Sequence, residues 1–197
     1  MEYLSYLIPI FIGLISHPLL NTIGMSTGLE GVQYYAEVHT SSLNSYIHTL
    51  FMPFTIFGIF LWFPTLWSRS IIIQNNIRVG LYLAYITHYI CIDPYIALLV
   101  MLLYMPSLYY SIYYTNIWAH KLRQKRGFII AFVALVIQEY FGHYLGGDAP
   151  SRLVAIPNAI LYACYYSISH FAYQSWFIIL FFTSLCTFYL LPRPIII

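Results

Sequence analysis

The stretch that decides the fold is Tyr46–Trp67, which reads YIHTLFMPFTIFGIFLWFPTLW. It holds no Asp, Glu, Lys or Arg. At 1.5 Å per residue its 22 positions reach about 33 Å, enough to cross the hydrocarbon core of a bilayer. The pattern repeats on both sides. Residues 3–29 are free of charge and offer one span ending near Asn21. Between Val79 and His120 the single charge is Asp93, followed by Pro94. Proline disfavours helix at the residue before it, so this region predicts a helical hairpin with Asp93-Pro94 at its tip. Its first arm, 14 residues from Val79, is short for a crossing. A further helix is predicted over Phe128–Tyr144, ended by Gly146-Gly147-Asp148-Ala149-Pro150. Residues 153–192 carry no charge and, at about 60 Å of helix, exceed one crossing. A break is placed near Ser167–His170.

The composition of the 197-residue chain agrees: 7% of residues are charged, against roughly a quarter in soluble domains, and the mean hydropathy is +0.75. So few charges cannot coat a water-facing surface. The expectation is an all-α, multi-pass membrane bundle of five to seven helices. It forms one domain over 1–197, with 1–23 as a retained N-terminal membrane segment. Residues 24–44 hold three glycines, Glu30, Glu37 and a Thr40-Ser41-Ser42 run. They predict a non-spanning connector with one short amphipathic helix near Val32–Val38. Cys91, Cys164 and Cys186 stand alone in apolar runs and imply no disulfide framework. Nothing points to nucleic acid.

Short Lys/Arg-rich loops mark one side of the membrane. Arg69 and Arg78 fall in one predicted loop and Lys121, Arg123, Lys125 and Arg126 in another. Counting crossings from these brings His39, His48, Asp93, Glu139 and His143 to the opposite face. Loops on one face collect polar residues in any case, but ionisable groups at membrane depth are costly and point to function.

His39, Asn44 and His48 form H-x4-N-x3-H. His39 and His48 are about half a turn out of phase on one helix, so both can aim at a single point only across a break. Thr40-Ser41-Ser42 can supply that break and a helix cap. Glu139 and His143, four apart, share a helix face. Histidines and a carboxylate from two segments would make a nitrogen–oxygen site suited to iron(II), zinc or manganese. Glu139 is either a ligand or a buried carboxylate bonded to His143 or Arg152. His88 and Asp93 are candidates for supporting the ligands. Arg152 either snorkels to the interface or holds a substrate carboxylate. His120 and His170 are expected away from this group.

Tyr35-Ala36-Glu37-Val38-His39-Thr40-Ser41-Ser42-Leu43-Asn44-Ser45-Tyr46-Ile47-His48 with Pro53 beyond, then Asp93-Pro94, then Gly142-His143 with Ala149-Pro150, resembles the fungal-type 2-hydroxy fatty acid dioxygenases. These are small multi-pass membrane proteins. The resemblance spans about residues 33–165. It implies an endoplasmic-reticulum enzyme that uses Fe(II) and O2 to shorten a 2-hydroxy fatty acid by one carbon, releasing CO2, in the alpha-oxidation of phytosphingosine. It implies His39, His48 and His143 as the metal-site and catalytic histidines, with Asn44 in a supporting, substrate-binding place. The chain departs from the family pattern in having Glu139 where glutamine is usual and Gly147 where glutamate is usual, with Asp148 one residue later. Asp148 is therefore expected to stand behind the ligands. A 2-hydroxy acid can chelate a cation through its carboxylate and hydroxyl, and its tail would lie between apolar helices. The expected partners are 2-hydroxy fatty acid, O2 and the lipid bilayer.

The competing reading is a non-catalytic multi-pass membrane protein, either a transporter subunit or a lipid-binding scaffold. The chain shows no clear internal repeat, and its polar groups map to one interface and not to the midplane. A di-iron lipid hydroxylase or desaturase would carry several HxxxH boxes, and none occurs.

Overall fold

In the computed structural model, residues 28–148 and 156–172, with the isolated position Ile15, are described. They are all-α, with no strand among them. Six α-helices follow in order: α1 Gly28–Ala36, α2 Ser42–Trp62, α3 Ile71–Ile90, α4 Pro94–Ile117, α5 His120–Val136 and α6 Ile156–Ser169. A 3-10 turn, Phe63–Leu66, extends α2, and a π-helical segment, Ile137–Leu145, extends α5. Three stretches are long and apolar enough to cross a membrane: Ser42–Leu66, Pro94–Ile117 and His120–Leu145. The chain is a membrane protein in this sense. Many large apolar side chains on these helices face outward, among them Leu50, Phe54, Phe128 and Phe132. A bilayer would cover them.

The short connector helix and the hairpin form as expected. Asp93 is the N-cap of α4, its carboxylate accepting from the Tyr95 and Ile96 amides at 2.9 and 3.3 Å. Pro94 takes the first helical position, where its missing N–H costs nothing. The chain breaks after Ser169 into a turn over 170–172, near the predicted place. The N-terminal segment 1–23, Arg152, Cys186 and most of the last apolar run lie outside the described residues.

Two predicted loops are helical instead. Residues 71–78 are the first two turns of α3, so the hairpin's first arm has 20 residues and not 14. The 121–126 basic cluster forms the first turns of α5. Both corrections have one cause. Arg78 and Arg123 turn inward and bond to the carbonyls that end neighbouring helices, so a polar stretch can stay helical. Arg78 Nε donates to Phe60 O at 2.6 Å. Arg123 Nη1 donates to Thr115 O and Trp118 O at 2.7 and 2.6 Å. Gln74 Oε1 accepts from both guanidinium groups, at 3.5 and 3.2 Å. Cations at helix C-termini also meet the negative end of the helix dipole.

The most intimate packing is α2 on α5. A Cβ on Gly127 would stand 2.7 Å from Trp62 N and 2.9 Å from Gly58 O, so the two backbones touch. Gly58, Gly127, Ala131 and Ala134 make the small-residue contact by which membrane helices approach closely. This contact sets α2 and the α5 extension side by side and so fixes the distance between His48 and His143.

Candidate metal centre

His39 lies in the break between α1 and α2. Its amide bonds back to Ala36 O at 3.0 Å, and its ring lies on Tyr35, centroid to centroid 4.0 Å. Its Nδ1 is 2.9 Å from Tyr35 O. A carbonyl only accepts, so Nδ1 carries the proton and Nε2 keeps its lone pair. The Tyr166 hydroxyl donates to His39 O at 2.8 Å, tying the break to α6. Burial is the main force on this imidazole and pushes its pKa down to about 4; the nearby His143 adds to the depression. His39 is therefore neutral at neutral pH, the form that binds metals.

His48 comes from the second turn of α2 and His143 from the π segment. The three rings stand 4.8 Å (His39–His48), 4.7 Å (His39–His143) and 5.4 Å (His48–His143) apart, each pair edge to face. All three are buried. One ring nitrogen from each lies within 4.8 Å of the other two. Two nitrogens bound to one ion at about 2.1 Å can be up to about 4.2 Å apart. On a tetrahedral ion the three nitrogens would stand about 3.4 Å from one another, so the side chains would close by up to about 1.4 Å to share one cation. Nε2 of His39 and both ring nitrogens of His48 are buried without a hydrogen-bond partner. Such unpaired buried nitrogens, one of them on His48 an N–H donor, cost about 1–3 kcal/mol each unless something binds them. The donor set fits iron(II), zinc or manganese.

Asp148 assembles the site. Its carboxylate accepts from the Thr40 hydroxyl at 2.6 Å, from the Thr40 and Ser41 amides at 3.1–3.2 Å and from Asn44 Nδ2 at 2.7 Å. Ser41 is the N-cap of α2 but makes no side-chain cap bond, so the carboxylate from 107 residues away caps that helix in its place. Burial raises the pKa of Asp148, but the Thr40, Asn44 and Ser41 hydrogen bonds together outweigh it and hold the group below its ordinary value. Gly147 makes the approach possible. It has φ +77°, a left-handed conformation that glycine adopts without strain.

The π segment decides what faces inward. A π turn closes i→i+5 and is one residue longer than an α turn. Gln138, Gly142 and His143 are buried. Glu139, expected as a ligand, has a side chain 48% exposed, with Oε2 3.9 Å from His143 Nε2. It stands beside the trio and not within it. Gln138 takes the inward place, its Nε2 donating to Thr55 Oγ1 and Ala134 O at 2.7 and 3.1 Å, and it neighbours His48.

Asn44 is fully buried, 3.5 Å from His143 Nδ1. The Asp93 carboxylate accepts from the Tyr95 and Ile96 amides of its own helix and is not grouped with the three histidines. His88 is buried against Tyr89 and Tyr162, in a separate aromatic layer. His170, expected at the far end or in a break, sits in the turn after α6, 3.4 Å from the Tyr166 hydroxyl that holds His39. It comes there because α6 runs toward the histidine end.

Tyr35 and Gly142, both within the quoted motifs, support the site, as do Gln138 and Tyr166, which carried no signal in the sequence. No family signature, curated protein or solved structure matches this chain.

Proposed function

We propose that the chain is an Fe(II)-dependent dioxygenase of the endoplasmic-reticulum membrane that shortens 2-hydroxy fatty acids by one carbon. The reaction takes a 2-hydroxy acid and O2 to a fatty acid one carbon shorter, CO2 and water. The observation that carries this reading is the trio His39, His48 and His143. These imidazoles come from three separate segments, are buried, and hold nitrogens within 4.8 Å of one another at one end of a membrane bundle. The order of motifs from Tyr35 to Pro150 supports the substrate class.

Three imidazoles would leave open positions on an iron ion for the polar head of the substrate and for O2, and the ion would supply Lewis acidity and redox capacity there. The chain's own residues do the rest. Tyr35 O holds His39 in one tautomer, and Asp148 keeps the His39 loop against the π segment. The aromatic walls of Tyr35 and Tyr166 limit water around the rings. The apolar outer faces of α2 and α5 let an acyl chain lie in the bilayer while its polar head reaches the histidine end.

The test uses the full chain, purified in detergent without oxygen, loaded with Fe(II) and given 2-hydroxypalmitate. About one iron per chain and conversion to pentadecanoate are expected. His39→Ala, His48→Ala and His143→Ala each abolish conversion. Wild-type protein that binds no iron would return the chain to the scaffold reading.

A further inference from the structure

The geometry points to Asn44 as a fourth protein ligand, through its side-chain oxygen Oδ1, of the cation that the three imidazoles hold. This rests on the metal reading above and extends it. The orientation of the amide is fixed by chemistry. The Asp148 carboxylate can only accept, so the atom 2.7 Å from it is the Asn44 nitrogen. Turning the amide over would set two acceptors against each other. Oδ1 therefore faces away from Asp148 and into the protein, where it is buried with no donor.

Gly142 locates that oxygen. A Cβ on Gly142 would stand 2.5 Å from Asn44 Oδ1 and 3.5 Å from His48 Nε2. The oxygen and that ring nitrogen thus pack on the same glycine and lie no more than 6.0 Å apart. Asn44 Nδ2, on the same amide, is 3.5 Å from His143 Nδ1. A fully buried carbonyl-type oxygen, fixed in direction, lacking a donor and within 6.0 Å of a His48 ring nitrogen, has the chemistry of a cation ligand. Oxygen suits harder ions, so Asn44 would favour Mn(II) and Fe(II) relative to Zn(II), for which three nitrogens and one water already complete a tetrahedron.

The test measures Mn(II) and Zn(II) affinity of the full chain in detergent by competition with a chelating indicator. Wild type, Asn44→Ala, Gly142→Ala and His48→Ala are compared. Asn44→Ala is expected to weaken Mn(II) roughly 10–100-fold, the range met when a group supporting a metal centre is lost. Zn(II) should weaken by less than about threefold. Gly142→Ala keeps the Asp148 bond but drives a methyl group onto Oδ1, so it should give the same selective loss and serves if Asn44→Ala does not fold. Equal loss of both ions, or no loss of Mn(II), in a folded variant overturns the assignment. If His48→Ala binds both ions as wild type does, the three-histidine reading has failed and not merely its extension.

Discussion

The two ends of the bundle bury polar groups in opposite ways. At the arginine end, Arg78 and Arg123 are buried as cations, yet nearly every donor finds an oxygen: Phe60 O, Thr115 O, Trp118 O, Asn75 Oδ1 and Gln74 Oε1. Nε of Arg123 and Nε2 of the nearby His120 are left over. At the histidine end the scaffold around the rings is also satisfied, by Tyr35 O, Tyr166 and Asp148, but the groups aimed inward are not. Nε2 of His39, both nitrogens of His48, Asn44 Oδ1 and Gln138 Oε1 have no partner. A buried polar group that is satisfied explains itself as structure. A cluster of buried polar atoms left unsatisfied costs stability, and the lone pairs among them call for a positive species.

The largest expected effect separates the ends outright. Replacing His48 by Leu should abolish metal binding, read as metal per chain after passage over a chelating resin. It should leave the apparent Tm of the metal-free protein unchanged or higher, because two orphaned nitrogens are exchanged for apolar surface. Arg78→Leu should do the reverse. It strips Phe60 O, Asn75 Oδ1 and Gln74 Oε1 of donors, so a loss of about 3–5 kcal/mol in stability is expected, by analogy with breaking a buried charged contact. Any variant that still folds should bind metal normally. If His48→Leu lowers Tm as Arg78→Leu does, the contrast between the ends is lost.

A smaller effect tests the link between them. Gly127→Ala places a methyl group 2.7 Å from Trp62 N, where backbone and not a flexible side chain must yield. Overpacking of this kind costs about 1–3 kcal/mol. Because α2 and α5 carry His48 and His143, the same variant should also weaken metal affinity, measurably by indicator competition. A drop in stability with unchanged affinity would show that the trio does not depend on this helix contact.

How much was legible beforehand follows the same division. The apolar runs are long and uninterrupted, so bilayer-spanning helices could be read at Tyr46–Trp67 and around Asp93-Pro94. Counting crossings brought His39, His48 and His143 to one face together with Asp93 and Glu139; that the three histidines share a site was implied by the motif resemblance. What could not be read depends on side chains that act across the fold. Arg78 and Arg123 looked like loop residues because their partners, the carbonyls of Phe60, Thr115 and Trp118, have no sequence signature. Gln138 carried no signal in the sequence; the π-helical segment turns it inward beside His48, while Glu139 lies next to His143 with its side chain half exposed.

The smallest effect compares two carboxylates with the same local task. Asp93 and Asp148 each accept amide hydrogen bonds at a helix N-terminus, Asp93 for its own helix α4 and Asp148 for α2 across 107 residues. Loss of an N-cap costs about 0.5–2 kcal/mol whichever residue supplies it, so Asp93→Ala and Asp148→Ala should lower Tm by similar amounts. Their other consequences should differ. Asp148 also holds the Thr40 hydroxyl and the Asn44 amide, and through them the loop bearing His39. Asp148→Ala should therefore speed hydrogen exchange at the Thr40 and Ser41 amides and weaken metal binding, whereas Asp93→Ala should change neither. Equal behaviour of the two variants would mean that the His39 loop is held by Tyr35 and Tyr166 alone, and that the carboxylate 107 residues away only finishes a helix.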